Sequence, residues 1–131
     1  MSKKPASRKT PSQPILWLKR PEAQDYPAAA SYLALLYPPK TVARLVKRLR
    51  SARTSAFKAK DIFRASGLSL LGISNWHVAK DQQKIMSGEK LSPLLLVIDR
   101  DHGRVIVADG YHRLCAVYSF DEDAEIPCRI V

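Results

Sequence analysis

The spacing of apolar positions along this chain changes several times, and each change marks a new element. From Ala28 to Tyr37 the composition is Ala, Leu and Tyr, which predicts a helix that Pro38-Pro39 stops. Pro21 and Pro27 bracket a turn ahead of it. Val42, Leu45, Val46 and Leu49 then recur at i, i+3, i+4 and i+7, the apolar stripe of a second helix from about Lys40 to Ala52. Phe57-Lys-Ala-Lys-Asp-Ile-Phe63 fits a short strand and a helical turn equally, and both remain open. Residues 66–75 read as irregular, punctuated by Gly67, Gly72 and Asn75. A helix follows from about Val78 to Ser87, closed by Gly88. Leu94-Leu-Leu-Val-Ile98 is a continuous apolar run of strand length, as in a buried strand. Asp101-His-Gly103 makes a hairpin turn into a returning strand, Arg104 to Ala108. Gly110 to Phe120 has helical spacing, with Leu114, Ala116, Val117 and Phe120 available for burial. After an Asp121-Glu-Asp-Ala loop, Ile126 to Val131 is a last strand with Pro127 near its start, where proline is tolerated.

The second half thus reads helix, strand, hairpin, strand, helix, strand: a small mixed α+β core over residues 57–131. Residues 15–56 form a helical N-terminal extension covering that core, and Ile15-Leu-Trp-Leu18 docks as a short extended segment. Residues 1–14, rich in Lys, Arg, Ser and Pro, read as a disordered basic tail. There are no internal repeats.

A length of 131 residues points to one such core. No apolar stretch reaches the ~18 residues of a membrane span, and the N-terminus lacks the apolar region of a secretory signal. Two cysteines, Cys115 and Cys128, make neither a disulfide framework nor a zinc pattern, so a reducing cytoplasm is the expected compartment. The net charge of +10 is unevenly held. Residues 1–60 carry 14 Lys/Arg against 2 Asp/Glu, whereas residues 61–131 carry 8 against 10. Basicity therefore belongs to the N-terminal half, as if that half met DNA or another polyanion, or simply presented a solvated face. Lys40, Arg44, Lys47 and Arg48 lie on one side of the second helix and are the candidates for nucleic-acid phosphate contacts.

The chemistry concentrates at Ala108-Asp-Gly-Tyr-His-Arg113, where a hydrophobic strand ends and a helix starts. Gly110 has no Cβ, so backbone N–H groups there can approach a ligand closely. The first N–H groups of the helix lack partners and, with the helix dipole, favour a bound anion such as a nucleotide phosphate. Arg113 can add a charged contact, and His112 can donate a hydrogen bond or move a proton near neutral pH. Asp109 can bind Mg²⁺ that bridges to phosphate, orient a hydroxyl nucleophile, or cap the helix. The structural alternatives are a packed histidine for His112 and an ion pair with the acidic 121–125 loop for Arg113. His77, His102, Asp99 and Asp101 do not make a metal site on this reading, because Asp is common at hairpin turns for backbone reasons. Trp17 and Trp76 could stack nucleic-acid bases, but as tryptophans of a small domain they are expected to serve as packing surface.

Residues 57–131 resemble the core of the ParB/sulfiredoxin superfamily in the order of elements: a helix, Leu91-Ser-Pro-Leu-Leu-Leu-Val97, a hairpin, Asp109-Gly-Tyr-His-Arg113, a helix with Ala116, and the closing Ile126-Pro-Cys-Arg-Ile130. In sulfiredoxins the turn carries a catalytic cysteine before the His-Arg pair. Tyr111 stands there in this chain, so the resemblance does not extend to sulfinic-acid reduction. It does imply ATP contacts from a Lys and two hydroxyl residues of the preceding helix; of the matching positions Lys80, Gln83 and Ser87, Lys80 and Ser87 fit that role and Gln83 departs from it. In chromosome-partitioning relatives the turn is Gly-Glu-Arg-Arg and holds the phosphates of CTP; Gly110 and Arg113 keep its ends. A helix-turn-helix domain follows the core in those relatives and is not expected here. ADP-dependent free-serine kinases use an Asp-Gly-x-His-Arg turn, the closest motif match, with a catalytic Glu near the start of the preceding helix, where this chain has Asn75, His77 and Asp81. The resemblance therefore implies a nucleotide-binding site (ATP, ADP or CTP) made by Gly110, Tyr111, His112, Arg113, Lys80 and Ser87, with Mg²⁺ at Asp109. Asp109 and His112 would serve any phosphoryl transfer. The other expectation is a non-enzymatic DNA-associated protein whose basic N-terminal half binds nucleic acid.

Overall fold

The computed structural model describes residues 14–72 and 75–131. Nearly all of the expected tail, and two residues of the segment read as irregular, lie outside them. In chain order the elements are α1 (Asp25–Leu33), α2 (Pro39–Ser51), β1 (Thr54–Lys58), α3 (Ala59–Ser66), α4 (Trp76–Met86), β2 (Leu94–Asp99), β3 (Arg104–Asp109), α5 (Tyr111–Phe120) and β4 (Glu125–Ile130).

One segment departs from the sequence expectation, and an ambiguous one is resolved. The first helix starts at Asp25, not Ala28, and carries Pro27 in its first turn, where a missing N–H breaks no bond. It ends at Leu33, four residues before Tyr37, and the chain turns away with Leu35 exposed. The ambiguous 57–63 segment satisfies both readings: β1 runs to Lys58 and α3 begins at Ala59. Gly67, at φ +66°, closes α3 in the left-handed conformation that glycine adopts without strain. The sequence boundary at residues 56 and 57 falls inside β1.

The four strands form one sheet in the order β1-β4-β2-β3. β2 and β3 are the expected antiparallel hairpin, with a register irregularity between Leu95 and Leu96. β4 pairs parallel to β2, the pairing that requires a long crossover, and α5 supplies it. β1 then adds antiparallel to the outer side of β4. Pro127 consequently lies in an inner strand. It is accommodated because the ladder to β2 begins one residue later, at Cys128.

The sheet is covered on both faces. Leu94 and Leu96 pack with α3, α4 and α5 in one cluster. Leu95 and Val97 pack with Leu33, Val42, Leu45 and Leu49 of α1 and α2 in another. This alternation is why β2 is apolar at every position, with Leu94 to Val97 all buried. Ahead of α1, Trp17 pairs with Leu91 in a parallel bridge, Leu18 N–H donates to the Leu91 carbonyl (2.7 Å) and the half-buried Trp17 ring rests on the first cluster. The fold is a small mixed α+β structure, and no helix among the described residues is long and apolar enough to cross a membrane.

Candidate functional site

β3 ends at Asp109, and Gly110 turns the chain into α5 at φ +104°. A Cβ at Gly110 would stand 2.8 Å from Leu94 Cγ and 2.9 Å from Arg113 Nη2, so glycine is required for space as well as for conformation. Gly110, and not Asp109, is the N-cap of α5. No side chain caps this helix, so its first N–H groups are left to whatever occupies the space before them. The N-terminus of α4 is closed instead: Asn75 Oδ1 accepts from the N–H groups of His77 (3.0 Å) and Val78 (3.2 Å).

Asp109 is turned towards the helix that follows it, α5. Its Oδ2 accepts from Arg113 Nη2 at 2.9 Å, one turn along, and the same Nη2 lies 3.3 Å from the Pro93 carbonyl. Arg113 therefore does not reach the acidic loop, whose Asp123 binds Lys60 instead (2.6 Å). Arg113 Nε is buried with no partner. Burial raises the Asp109 pKa above the usual carboxylate value; Arg113 opposes this, and the neighbouring Asp25 carboxyl adds to it. Asp25 belongs to α1, is itself buried, and accepts hydrogen bonds from Ser92 Oγ and from the Glu22 N–H. The carboxyl of Asp25, from the layer on the far face of the sheet, thus bears on the ionisation of Asp109.

A cavity of about 200 Å³ lies between this turn and α4. α4 lines it with His77, Lys80, Asp81 and Lys84, and the turn with residues 109–113. The α4 residues follow the spacing i, i+3, i+4 and i+7, a polar stripe that only becomes meaningful once α4 is known to lie beside α5. Lys84 was not among the sequence candidates. Ser87 and Gln83 do not line the cavity. Ser87 ends α4, with its hydroxyl donating to the Lys84 carbonyl (3.1 Å), and Gln83 is exposed.

Of the three lining cations, Arg113 is paired with Asp109 and Lys84 lies 4.0 Å from Asp81. Among the described residues Lys80 has no carboxylate within ion-pair reach, and its Nζ lies 5.2 Å from the Trp76 ring centre. His112 stacks obliquely on His77 with ring centres 4.8 Å apart. Desolvation, then His77, lowers the His112 pKa below the ordinary imidazole value, with Asp81 partly opposing, which favours the neutral ring. Desolvation likewise raises the Asp81 carboxyl, against Lys84 and Arg113. Tyr111 donates its hydroxyl proton to the Ser69 carbonyl. Trp76 is not packing surface: it is 66% exposed.

The remaining candidates fall elsewhere. Cys115 is buried, with burial pushing its thiol pKa up, and Cys128 is pushed up to about 12 in the same way; neither is a reactive thiolate. Asp99 holds His102 Nδ1 (2.9 Å) and Arg104 Nε (3.2 Å) across the β2–β3 turn, a structural use of all three. No group of three or more His, Cys, Asp or Glu side chains among the described residues is arranged to hold a metal ion. Lys40, Arg44, Lys47 and Arg48 are all exposed on α2, away from the cavity. A larger groove of about 580 Å³ between α1 and α2 is lined mainly by apolar side chains and has no acid–base pair. No family model, curated protein or solved structure matches this chain.

Proposed function

We propose that the cavity between α4 and the β3–α5 turn binds the phosphate groups of a nucleotide, ATP, ADP or CTP. One observation carries this reading: the uncapped N-terminus of α5 and the unpaired cation Lys80 line the same small polar cavity. The free N–H groups and the dipole of α5 supply donors and positive potential without desolvating a charge, and Lys80 supplies a full charge. The ParB/sulfiredoxin resemblance of residues 57–131 supports the same ligand class. Arg113 is bound to Asp109 and acts by fixing the turn more than by clamping the ligand. With one Asp109 oxygen held by Arg113, Mg²⁺ fits here as an ion carried on the phosphates, needing only one or two carboxylates, Asp81 or Asp109, to complete its shell. If phosphoryl transfer follows, His112 is the group able to take the acceptor's proton in the fraction of complexes that leaves it unprotonated, and Asp109 the one able to orient the acceptor.

Calorimetric titration of ATP, ADP and CTP, with and without Mg²⁺, tests the reading. Saturable binding of at least one is expected, weakened about tenfold by Lys80→Ala, the worth of one charge-assisted hydrogen bond. No saturation with any of the three would overturn it.

A second reading rests on α2. Lys40, Arg44, Lys47 and Arg48 are exposed, and none forms an ion pair with a described residue. Such a face suits nucleic-acid phosphates. It predicts duplex DNA binding that falls steeply with salt and is lost in Arg44→Glu/Arg48→Glu; binding indifferent to salt would argue against it.

A further inference from the structure

The largest aromatic ring near the cavity stands in solvent. Trp76 is 66% exposed, although it opens a helix whose other face is buried at Val78 and Ile85. Its contacts are with residues that line the cavity: the edge of His77 at 4.9 Å between ring centres, and Lys80 Nζ. From His77 the row of rings continues through His112 to Tyr111, 5.5 Å further on. An aromatic path therefore leads from solvent to the open end of α5. The cavity volume sharpens the point. Sites that enclose a whole small molecule measure about 300–1,000 Å³, and this one measures about 200 Å³. It has room for phosphate groups, while the rest of a nucleotide must lie outside, at the rim where Trp76 stands.

We propose that Trp76 is the stacking platform for the base of the bound nucleotide, with Lys80 passing from the indole face to the phosphates when the ligand enters. This rests on the phosphate reading of the cavity. An exposed ring reads the π-face of a base and not its hydrogen-bonding edge, so the site should tolerate different bases. ATP and CTP are then expected to bind within about tenfold of each other.

The experiment compares ATP, CTP and inorganic tripolyphosphate, which has the charge but no base, on wild type, Trp76→Ala and Trp76→Phe. Circular dichroism confirms folding, which an exposed position should leave intact. Trp76→Ala is expected to weaken both nucleotides about tenfold, the effect of losing one base–aromatic stack, and to leave tripolyphosphate unchanged. Trp76→Phe should restore most of the nucleotide affinity, and the fluorescence quench on nucleotide binding should vanish in both variants while Trp17 remains. If tripolyphosphate saturates the site but Trp76→Ala leaves ATP and CTP unaltered, the platform is refuted and the phosphate site stands. If neither nucleotide nor tripolyphosphate saturates it, both ideas fall together.

Discussion

Gly110 answers two demands with one missing atom. Its φ of +104° is hostile to any side chain, and the space a Cβ would need is taken by the fully buried Leu94. Gly110→Ala is expected to cost about 1–3 kcal/mol in a urea melt, the range for a non-glycine residue in such a conformation; an unchanged midpoint would contradict the geometry. His112 makes a prediction in pH. Its folded pKa lies below the unfolded value of about 6.5, so as pH falls the unfolded chain takes up this proton first. The stability linked to His112 is therefore present above about pH 6.5 and lost as pH drops through the folded pKa. A bound anion reverses the preference, because it favours the imidazolium. Nucleotide affinity should rise from pH 7.5 towards 6 with proton uptake, and His112→Gln should flatten the profile. Calorimetry in two buffers of different ionisation enthalpy would detect it, and a flat wild-type profile would refute it.

The contrast at the element scale is between two helix N-termini side by side. That of α4 is satisfied by Asn75, which holds the first turn rigid and with it His77. That of α5 is left open, where the ligand is expected. Asn75→Ala should cost about 1 kcal/mol, the usual worth of an N-cap. It should also raise hydrogen exchange at the His77 and Val78 amides; unaltered exchange would show that packing alone holds α4 in place. The polar stripe 77, 80, 81 and 84 works as a wall only because α5 lies against α4. Ser87, which caps the C-terminus of α4, lies beyond that wall and outside the cavity.

Across the whole molecule, one sheet carries two cores. The helices of the basic N-terminal half are not peripheral to the site, since they pack on Ile106 and Ala108 of β3, the strand that leads into the turn. The two faces should therefore unfold together. Leu49→Ala, at a fully buried α2 position, is expected to lower stability by about 2–5 kcal/mol. Trp17 rests on the cluster of the opposite face, so its fluorescence should lose signal at the same denaturant concentration as the far-ultraviolet dichroism. Two separated transitions would mean that the α1–α2 layer is an independent unit.

Local periodicity by itself determined most of the elements here: the α2 stripe, the β2–β3 hairpin, the strand–glycine–helix turn and the mixed α+β class all follow from contacts between residues close in the chain. It failed where the deciding partner was remote. Pro27 read as a breaker because nothing nearby shows that α1 starts before it, and the 57–63 segment stayed ambiguous until β4 offered β1 an edge. The same limit governs the site. Gly110 could be singled out from its own neighbours, since a strand ending at a glycine leaves free N–H groups wherever it occurs. The partners of Asp109 and Arg113, the exposure of Trp76 and the role of Lys84 depend on which helix lies across the turn, and only the tertiary structure decides that.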